Sequence, residues 1–484
     1  MISNECPVWN YSNKFPDDTA LIKGELGISY KDLSNRIDAA VLSLKGKGVK
    51  PGMKVGIISE NSIQYIILIF ALLRMGSLAV PINFRFRYPE IEEIISGIGI
   101  DLMISGIFTT ELASSVIKNF DPEDVDTDKI SDSRYRETEF IAKGGTIILT
   151  SGSTGVPKGV LISAENHFFS AAGSNLNIDL KTGDKWLLTL PLYHVGGMAI
   201  LFRAFLAGAT ISLPYGKGKS ICEEIEDGCI THVSMVSTQL VEYVSCLEGL
   251  NKTVPLVLKV ILAGGSYIPE ALILRALSLN VPVYKTYGLT EMSSQVTTTD
   301  KKVSRKSLST SGSLLKYRDL LIGTGNEILV RGKTLSRGYI FEGKFIPIKT
   351  DEDGWFNTGD IGNIGESGDL FLSGRKDNMF ISGGENVFPE EIESELLKID
   401  NIVEAVIVSI EDEKYGNRPV AFISTGGKKI SRNEIVKSLK IRLPGFKVPD
   451  RFYYLDSING QVKRRRPFLR ELAKLGKGLK LISD

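Results

Sequence analysis

Residues 147–160 read Ile-Ile-Leu-Thr-Ser-Gly-Ser-Thr-Gly-Val-Pro-Lys-Gly-Val, an apolar stretch running into hydroxyls, glycines and a single lysine. A loop made of Thr150, Ser151, Gly152, Ser153, Thr154 and Gly155, followed by Lys158, offers unobstructed backbone N–H donors and one cation. That combination suits a polyphosphate. It is not a Walker A loop, because Gly152 and Gly155 are too close together and Pro157 precedes the lysine. A flexible Ser/Gly linker has a similar composition. The strand that leads directly into the loop, with the proline and the lysine, favours the phosphate reading.

Four more loops carry chemistry of the same kind. His194 lies in Leu190-Pro-Leu-Tyr-His-Val-Gly-Gly, where Gly196 permits close approach of a ligand. A lone histidine is as readily structural. Gly264, Gly265 and Ser266 follow an apolar run, and an ordinary turn is the plain alternative. Tyr287-Gly288-Leu-Thr290-Glu291 brings a ring, a hydroxyl and a carboxylate. A carboxylate beside a phosphate loop is unfavourable unless a divalent cation lies between them, so Glu291 points to Mg²⁺. Asp360, in Asn357-Thr-Gly-Asp-Ile, suits ribose hydroxyls.

The elements that must position these loops alternate along the chain. Strands are expected at 55–59, 78–81, 146–149, 186–190, 210–213, 231–236, 256–263 and 283–286. Helices are expected at 62–74, 88–98, 196–207, 221–226, 237–247 and 269–278. This alternation predicts an α/β fold of parallel sheets covered by helices on both faces, with ligands at strand C-termini. From about 312 to 374 short Gly-rich strands predict a small β-rich subdomain. From 375 onward an α+β pattern predicts a smaller C-terminal domain, with the polar run 375–378 as the hinge between the two.

Composition narrows the class. The 484 residues, 43% hydrophobic and 24% charged with a net charge of +1, exceed one ordinary core and imply at least two domains. That balance gives no bulk attraction to nucleic acid. The most apolar stretch, 65–73, is too short to span a bilayer, so no membrane insertion is expected. Cys6, Cys222, Cys229 and Cys246 form no C-x-x-C pair, and only His167, His194 and His232 accompany them. Zinc is therefore not expected, and free thiols in a reducing cytoplasm are. The N-terminus shows neither a basic region nor an apolar run of the secretory kind.

Taken in order, Thr150–Val160, Tyr287–Glu291, Thr358–Asp360, Gly374–Asp377 and Gly383–Glu393 resemble the successive motifs of the adenylate-forming superfamily. That group holds the acyl- and aryl-CoA synthetases, peptide-synthetase adenylation domains and beetle luciferases. The resemblance covers nearly the whole chain. It implies a large N-terminal domain (1–374) of two helix-covered sheets plus a small β-barrel, a hinge at 375–377, and a small mobile α+β domain (378–484). It implies ATP, Mg²⁺ and coenzyme A as cofactors, with a small carboxylic acid as substrate. Ser151, Thr154 and Lys158 would cradle the β- and γ-phosphates. Gly264, Gly265, Ser266, Tyr287 and Gly288 would surround adenine, Thr290 would meet the α-phosphate, and Glu291 the Mg²⁺. Asp360 and Arg375 would hold the ribose, His194 the acyl-binding wall, and Asp377 the hinge. Gly383, Gly384 and Glu385 would line the CoA tunnel.

The last family motif departs from its pattern. Its lysine, which would bridge the carboxylate and the α-phosphate, is replaced by Gln461 in Asn459-Gly-Gln-Val-Lys463. Losing one preorganised charge contact costs roughly 2.7–4 kcal/mol, about 10²–10³ in rate. A slowed or altered ligase, substitution by Lys463, and a non-catalytic acyl-adenylate or acyl-CoA binder all remain open. The segment 191–203 together with 287–295 resembles the branch that activates o-succinylbenzoate in menaquinone biosynthesis; other aryl- or medium-chain acyl-CoA synthetases are the alternative. Arg203 on an otherwise apolar helix would pair with a second carboxylate, or would be a surface arginine. Ser293, Ser294 and Gln295 would bond a keto group. Homodimerisation is left open.

Overall fold

The computed structural model describes residues 5–107, 118–127, 144–150, 158–216, 218–299, 307–455, 466–476 and 479–483. Two large mixed sheets dominate. The first runs, in spatial order, Lys344–Pro347, Gly338–Phe341, Lys158–Ser163, Gly145–Thr150, Leu78–Ile82, Lys54–Ile58, Leu102–Ser105, Lys118–Phe120. Its Val- and Ile-rich centre is parallel. At the other side Gly145–Thr150 pairs antiparallel with Lys158–Ser163, which places Thr150 opposite Lys158. The expected parallel sheets are thus mixed: the two strands are separated by only seven residues in sequence and pair antiparallel, whereas a parallel pair would need a long crossover.

The second sheet has a parallel centre of Val283–Leu289, Val260–Ala263, His232–Met235, Lys185–Leu187, Thr210–Ser212 and Thr19–Lys23. Antiparallel strands close both ends, Ser294–Thr298 on one side and Leu26–Ser29 on the other. Helices Ile63–Arg74 and Val195–Ala207 bury their sides between the two sheets, and Phe70, Phe202 and Phe205 meet there. Ser62 starts the first helix by accepting from the Tyr65 N–H at 3.0 Å, and Gly208 ends the second at φ +70°. The strand expected at 256–263 is shorter, Val260–Ala263, because Pro255 opens a turn closed by the Leu258 N–H and leaves Leu256 fully exposed.

Arg318–Ile322, Glu327–Gly332, Phe356–Ile364 and Leu370–Arg375 form a four-stranded antiparallel sheet. The region 312–374 is not closed on itself, however. Ser313–Leu314 joins the second large sheet, and Gly338–Phe341 with Lys344–Pro347 joins the first. After Arg375 a short turn, Lys376–Asn378, leads to a hairpin (Phe380–Ser382, Glu385–Val387) and a three-stranded sheet (Glu404–Asp412, Gly416–Ser424, Arg451–Tyr454). Two clusters of buried apolar side chains in this part draw only on residues from Phe380 onward. Among the described residues no helix is long and apolar enough to cross a membrane.

Candidate active site

Lys158 begins the strand Lys158–Ser163, and Tyr339 stands opposite Val160 on the neighbouring strand. The Lys158 ammonium rests over the Tyr339 ring, 4.2 Å from its centroid. The Tyr339 hydroxyl donates to Glu291 Oε1 at 3.0 Å. Two regions remote in sequence thus meet through a residue that the sequence reading missed. Its only signal there was an aromatic in the run Arg337-Gly-Tyr-Ile. Ser151, Gly152, Ser153, Thr154 and Gly155 lie outside the described residues, as do Gln461 and Lys463. Among the described residues only Tyr339 bonds the Glu291 carboxylate, and it does so through Oε1, which leaves room for a cation carried in by phosphates. Mg²⁺ retains most of its waters and takes only one or two carboxylates at such sites.

Thr290 and Glu291 sit in the short turn Thr290–Met292 that follows Val283–Leu289. Gly288 is required there: a Cβ would stand 1.8 Å from the Ser294 carbonyl oxygen. Upstream, the Tyr287 hydroxyl donates to Asp360 Oδ2 at 2.6 Å, and Arg375 Nη1 donates to Asp360 Oδ1 at 3.2 Å. Asp360 and Arg375 are direct partners across their two strands. Burial, then the Asp360 charge, pushes the Tyr287 phenol well above its ordinary value, so it stays a donor. Gly264 leaves no space for a Cβ beside Thr286 (2.4 Å), and Gly265 has φ +79°. This glycine edge leads into Ser266, which is exposed. A flat base can approach the backbone there, consistent with adenine.

His194 caps the helix Val195–Ala207 with its ring against Tyr193, at 4.7 Å and edge-on. Desolvation lowers its pKa. Asn61, absent from the sequence reading, pins this loop from both sides: Nδ2 donates to the Leu190 carbonyl at 2.9 Å and Oδ1 accepts from the Leu192 N–H at 3.0 Å. Gly196 faces Leu190, and Gly197 is held so close to Pro191 that a Cβ would clash at 2.2 Å.

Farther along the same helix, Arg203 is not a surface residue. It is 1% exposed, lies over Trp186, and donates through Nη2 to Ser294 Oγ at 3.2 Å. Its Nε has no partner, and no carboxylate pairs with it among the described residues. Burial lowers its pKa to about 9. Arg318 lies close by, also lowered to about 9 by burial and then by Arg203. Arg318, however, is saturated by the carbonyls of Gln295, Lys316 and Ser170. Of the three side chains expected at a keto group, the Ser293 hydroxyl is spent on the protein's own backbone. Ser293 is fully buried and donates to the Thr334 carbonyl, while the Gln295 amide donates to Thr286 and Thr298 and leaves its buried Oε1 without a partner among the described residues. Ser294 alone of the three meets Arg203.

At the turn after Arg375, Nη2 of that arginine reaches Asp377 at 3.3 Å, and Lys376 pairs with Glu327. Asn378 donates to Glu390 at 2.6 Å. Gly383 and Gly384 have φ +62° and +88° and lie exposed with Glu385 at the tip of their hairpin. The Tyr267 hydroxyl bonds Ser394, and Lys398 pairs with Glu270 at 3.4 Å, so the segment after Gly265 touches the helix Pro389–Leu396 and its end.

Sequence comparison agrees with this geometry. Residues 8–340 match the AMP-binding enzyme family, and residues 391–460 match the AMP-binding enzyme C-terminal domain. The chain belongs to the AMP-binding enzyme family, and it is an adenylate-forming enzyme. It is 32% identical to the 2-succinylbenzoate–CoA ligase of Bacillus cereus over 97% of this chain and 99% of that one. The ligase of the same name from Bacillus cytotoxicus is 32% identical, covering 96% and 98%. Among solved structures, the o-succinylbenzoate CoA synthetase of Bacillus subtilis with its acyl-adenylate intermediate superposes with a TM-score of 0.85. It shows 27% identity and 97% coverage of both chains. The same enzyme with ATP and a magnesium ion also gives 0.85, at 26% identity and coverages of 97% and 99%.

Proposed function

We propose that this protein is an ATP- and Mg²⁺-dependent ligase that converts 2-succinylbenzoate first to its acyl-adenylate and then to its CoA thioester. The observation that carries the reading is Arg203, a buried guanidinium with no carboxylate partner among the described residues, beside Ser294 and a few residues from the Thr290–Glu291 turn. A buried charge is costly unless paired. A substrate with a second carboxylate supplies the missing partner while its first carboxylate faces the α-phosphate. The names of the relatives support the same acid.

The roles are those the family resemblance implies. Lys158 and the donors of residues 150–155 take the charge that grows on departing pyrophosphate. Thr290 meets the α-phosphate, and Glu291 receives the cation that screens it. Gly264, Gly265, Ser266 and Tyr287 bound the adenine, and Asp360 with Arg375 binds the ribose. His194 and Gly196 shape the acyl entrance. Rotation at Asp377 then brings Gly383, Gly384 and Glu385 toward the adenylate, lining the path of CoA. Residues 1–374 and 378–484 act as the two moving parts, in the cytoplasm, where menaquinone precursors are made. Whether two copies associate bears on none of these roles.

Gln461 makes the first half-reaction the slow one. Pyrophosphate release with a panel of acids, and thioester formation from preformed acyl-adenylate, separate the two halves. Gln461→Lys is expected to speed pyrophosphate release by about 10²-fold and to leave thioester formation unchanged. An unchanged rate, with loss of activity in Lys463→Ala, would show that Lys463 is the working cation. Ligand binding without either half-reaction, for every acid, would replace the ligase with an acyl-adenylate binder.

A further inference from the structure

Lys158 and Glu291 carry opposite charges and reach the same place, yet they form no ion pair. Tyr339 stands between them, its ring under the ammonium at 4.2 Å and its hydroxyl on Glu291 Oε1 at 3.0 Å. We propose that Tyr339 is a positioning residue for pyrophosphate release, a spacer that aims the Glu291 carboxylate and seats the Lys158 ammonium without letting the two neutralise each other.

The strand Gly338–Phe341 is tied to both neighbours by main-chain bonds. The Arg337 N–H donates to the Leu161 carbonyl at 3.1 Å, and the Ser336 N–H donates to the Glu291 carbonyl at 2.7 Å. The phenol is therefore fixed relative to the lysine strand and to the glutamate turn at once. Holding Oε1 leaves Oε2 for a cation. A ring–ammonium contact is weak enough to be exchanged for phosphate oxygens. A direct Lys158–Glu291 pair would have to be broken before either group could serve the nucleotide. The inference rests on the roles proposed above for Lys158 and Glu291.

The test uses the full chain with 2-succinylbenzoate, ATP and varied free Mg²⁺, following pyrophosphate release, with thioester formation from preformed acyl-adenylate as the second readout. Tyr339→Phe keeps the spacer and loses one charge-assisted hydrogen bond. It is expected to raise the Mg²⁺ concentration at half-maximal rate by about tenfold. Tyr339→Leu also removes the ring, and a rise in the KM for ATP is expected on top of the Mg²⁺ effect. Both variants should form thioester within about twofold of the parent rate. In a Glu291→Gln background, Tyr339→Phe should add nothing further, because its effect runs through that carboxylate. Equal losses in both half-reactions, an unaltered Mg²⁺ response in Tyr339→Phe, or fully multiplicative effects with Glu291→Gln would each overturn the proposal. Absence of Mg²⁺-dependent pyrophosphate release from the parent protein would instead overturn the ligase reading on which it rests.

Discussion

Arg74 and Arg203 are the same residue in the same kind of place, an apolar helix buried between two sheets, and they are 2% and 1% exposed. Their electrostatics are opposite. Arg74 donates to Asp38 at 2.6 Å and to the Ser34 side chain at 3.1 Å. Burial alone would lower its pKa, but Cys6 and Asp38 raise it on balance. The Nε of both arginines lacks a partner, but Arg203 has only one neutral hydroxyl and a second guanidinium nearby, and burial wins. A buried arginine that brings its own carboxylate is part of the fold. One that lacks it is held by neutral groups of the fold, as Arg318 is by three carbonyls, or, on the reading proposed for Arg203, by a carboxylate of the substrate.

The contrast breaks most sharply at Arg74. Arg74→Met takes the guanidinium away from the buried Asp38 carboxylate, and loss of one partner of a buried pair costs about 3–5 kcal/mol. Urea unfolding should show that loss, and Arg74→Met with Asp38→Leu should recover most of it. A loss under about 1 kcal/mol would mean the pair is hydrated and the comparison fails.

Arg203→Met should behave in the reverse way. Removing an uncompensated buried charge leaves the urea midpoint unchanged or raised. The same change should lower kcat/KM for 2-succinylbenzoate by about 10²-fold or more, the scale of a buried charge contact. A monocarboxylic analogue should lose less than about threefold, since it never met the guanidinium. Equal losses for both acids would remove Arg203 from the site and with it the main support for the substrate.

Sequence alone could not tell these two arginines apart. Each appears as one charge in a run such as Ile-Ile-Leu-Ile-Phe-Ala-Leu-Leu-Arg74 or Met-Ala-Ile-Leu-Phe-Arg203, and the deciding fact is whether a carboxylate lies across the packing. Asp38 is carried by another helix, so its distance from Arg74 is set by tertiary structure. What repeats along the chain was legible: the helix Tyr88–Ile98 begins and ends where its periodicity says. The positions of the loops at 264–266 and 287–291 were legible because each follows an apolar run that forms a strand. Tyr339 and Asn61 were not legible, because each acts by touching a loop that only strand pairing or helix packing brings near. Ser293 and Gln295 looked like Ser294, and only the folded packing shows that Ser294 alone of the three bonds Arg203.

The smallest test sharpens the contrast at the one partner Arg203 has. Ser294 lies at φ +101°, a left-handed conformation that a side chain makes costly, and its carbonyl oxygen packs where a Cβ on Gly288 would be. Strain of this kind amounts to about 1–3 kcal/mol per residue. Ser294→Gly relieves it and also removes the hydroxyl that orients the guanidinium. The protein should therefore become more stable, by about 1 kcal/mol, while kcat/KM for the dicarboxylic acid falls several-fold. Ser294→Ala removes the hydroxyl and keeps the strain, so it should show the same kinetic loss with no gain in urea midpoint. If both variants are kinetically silent, Arg203 is oriented by the substrate alone and Ser294 belongs with Ser293 and Gln295. If only Ser294→Gly loses activity, the strained backbone rather than the hydroxyl holds the site in shape.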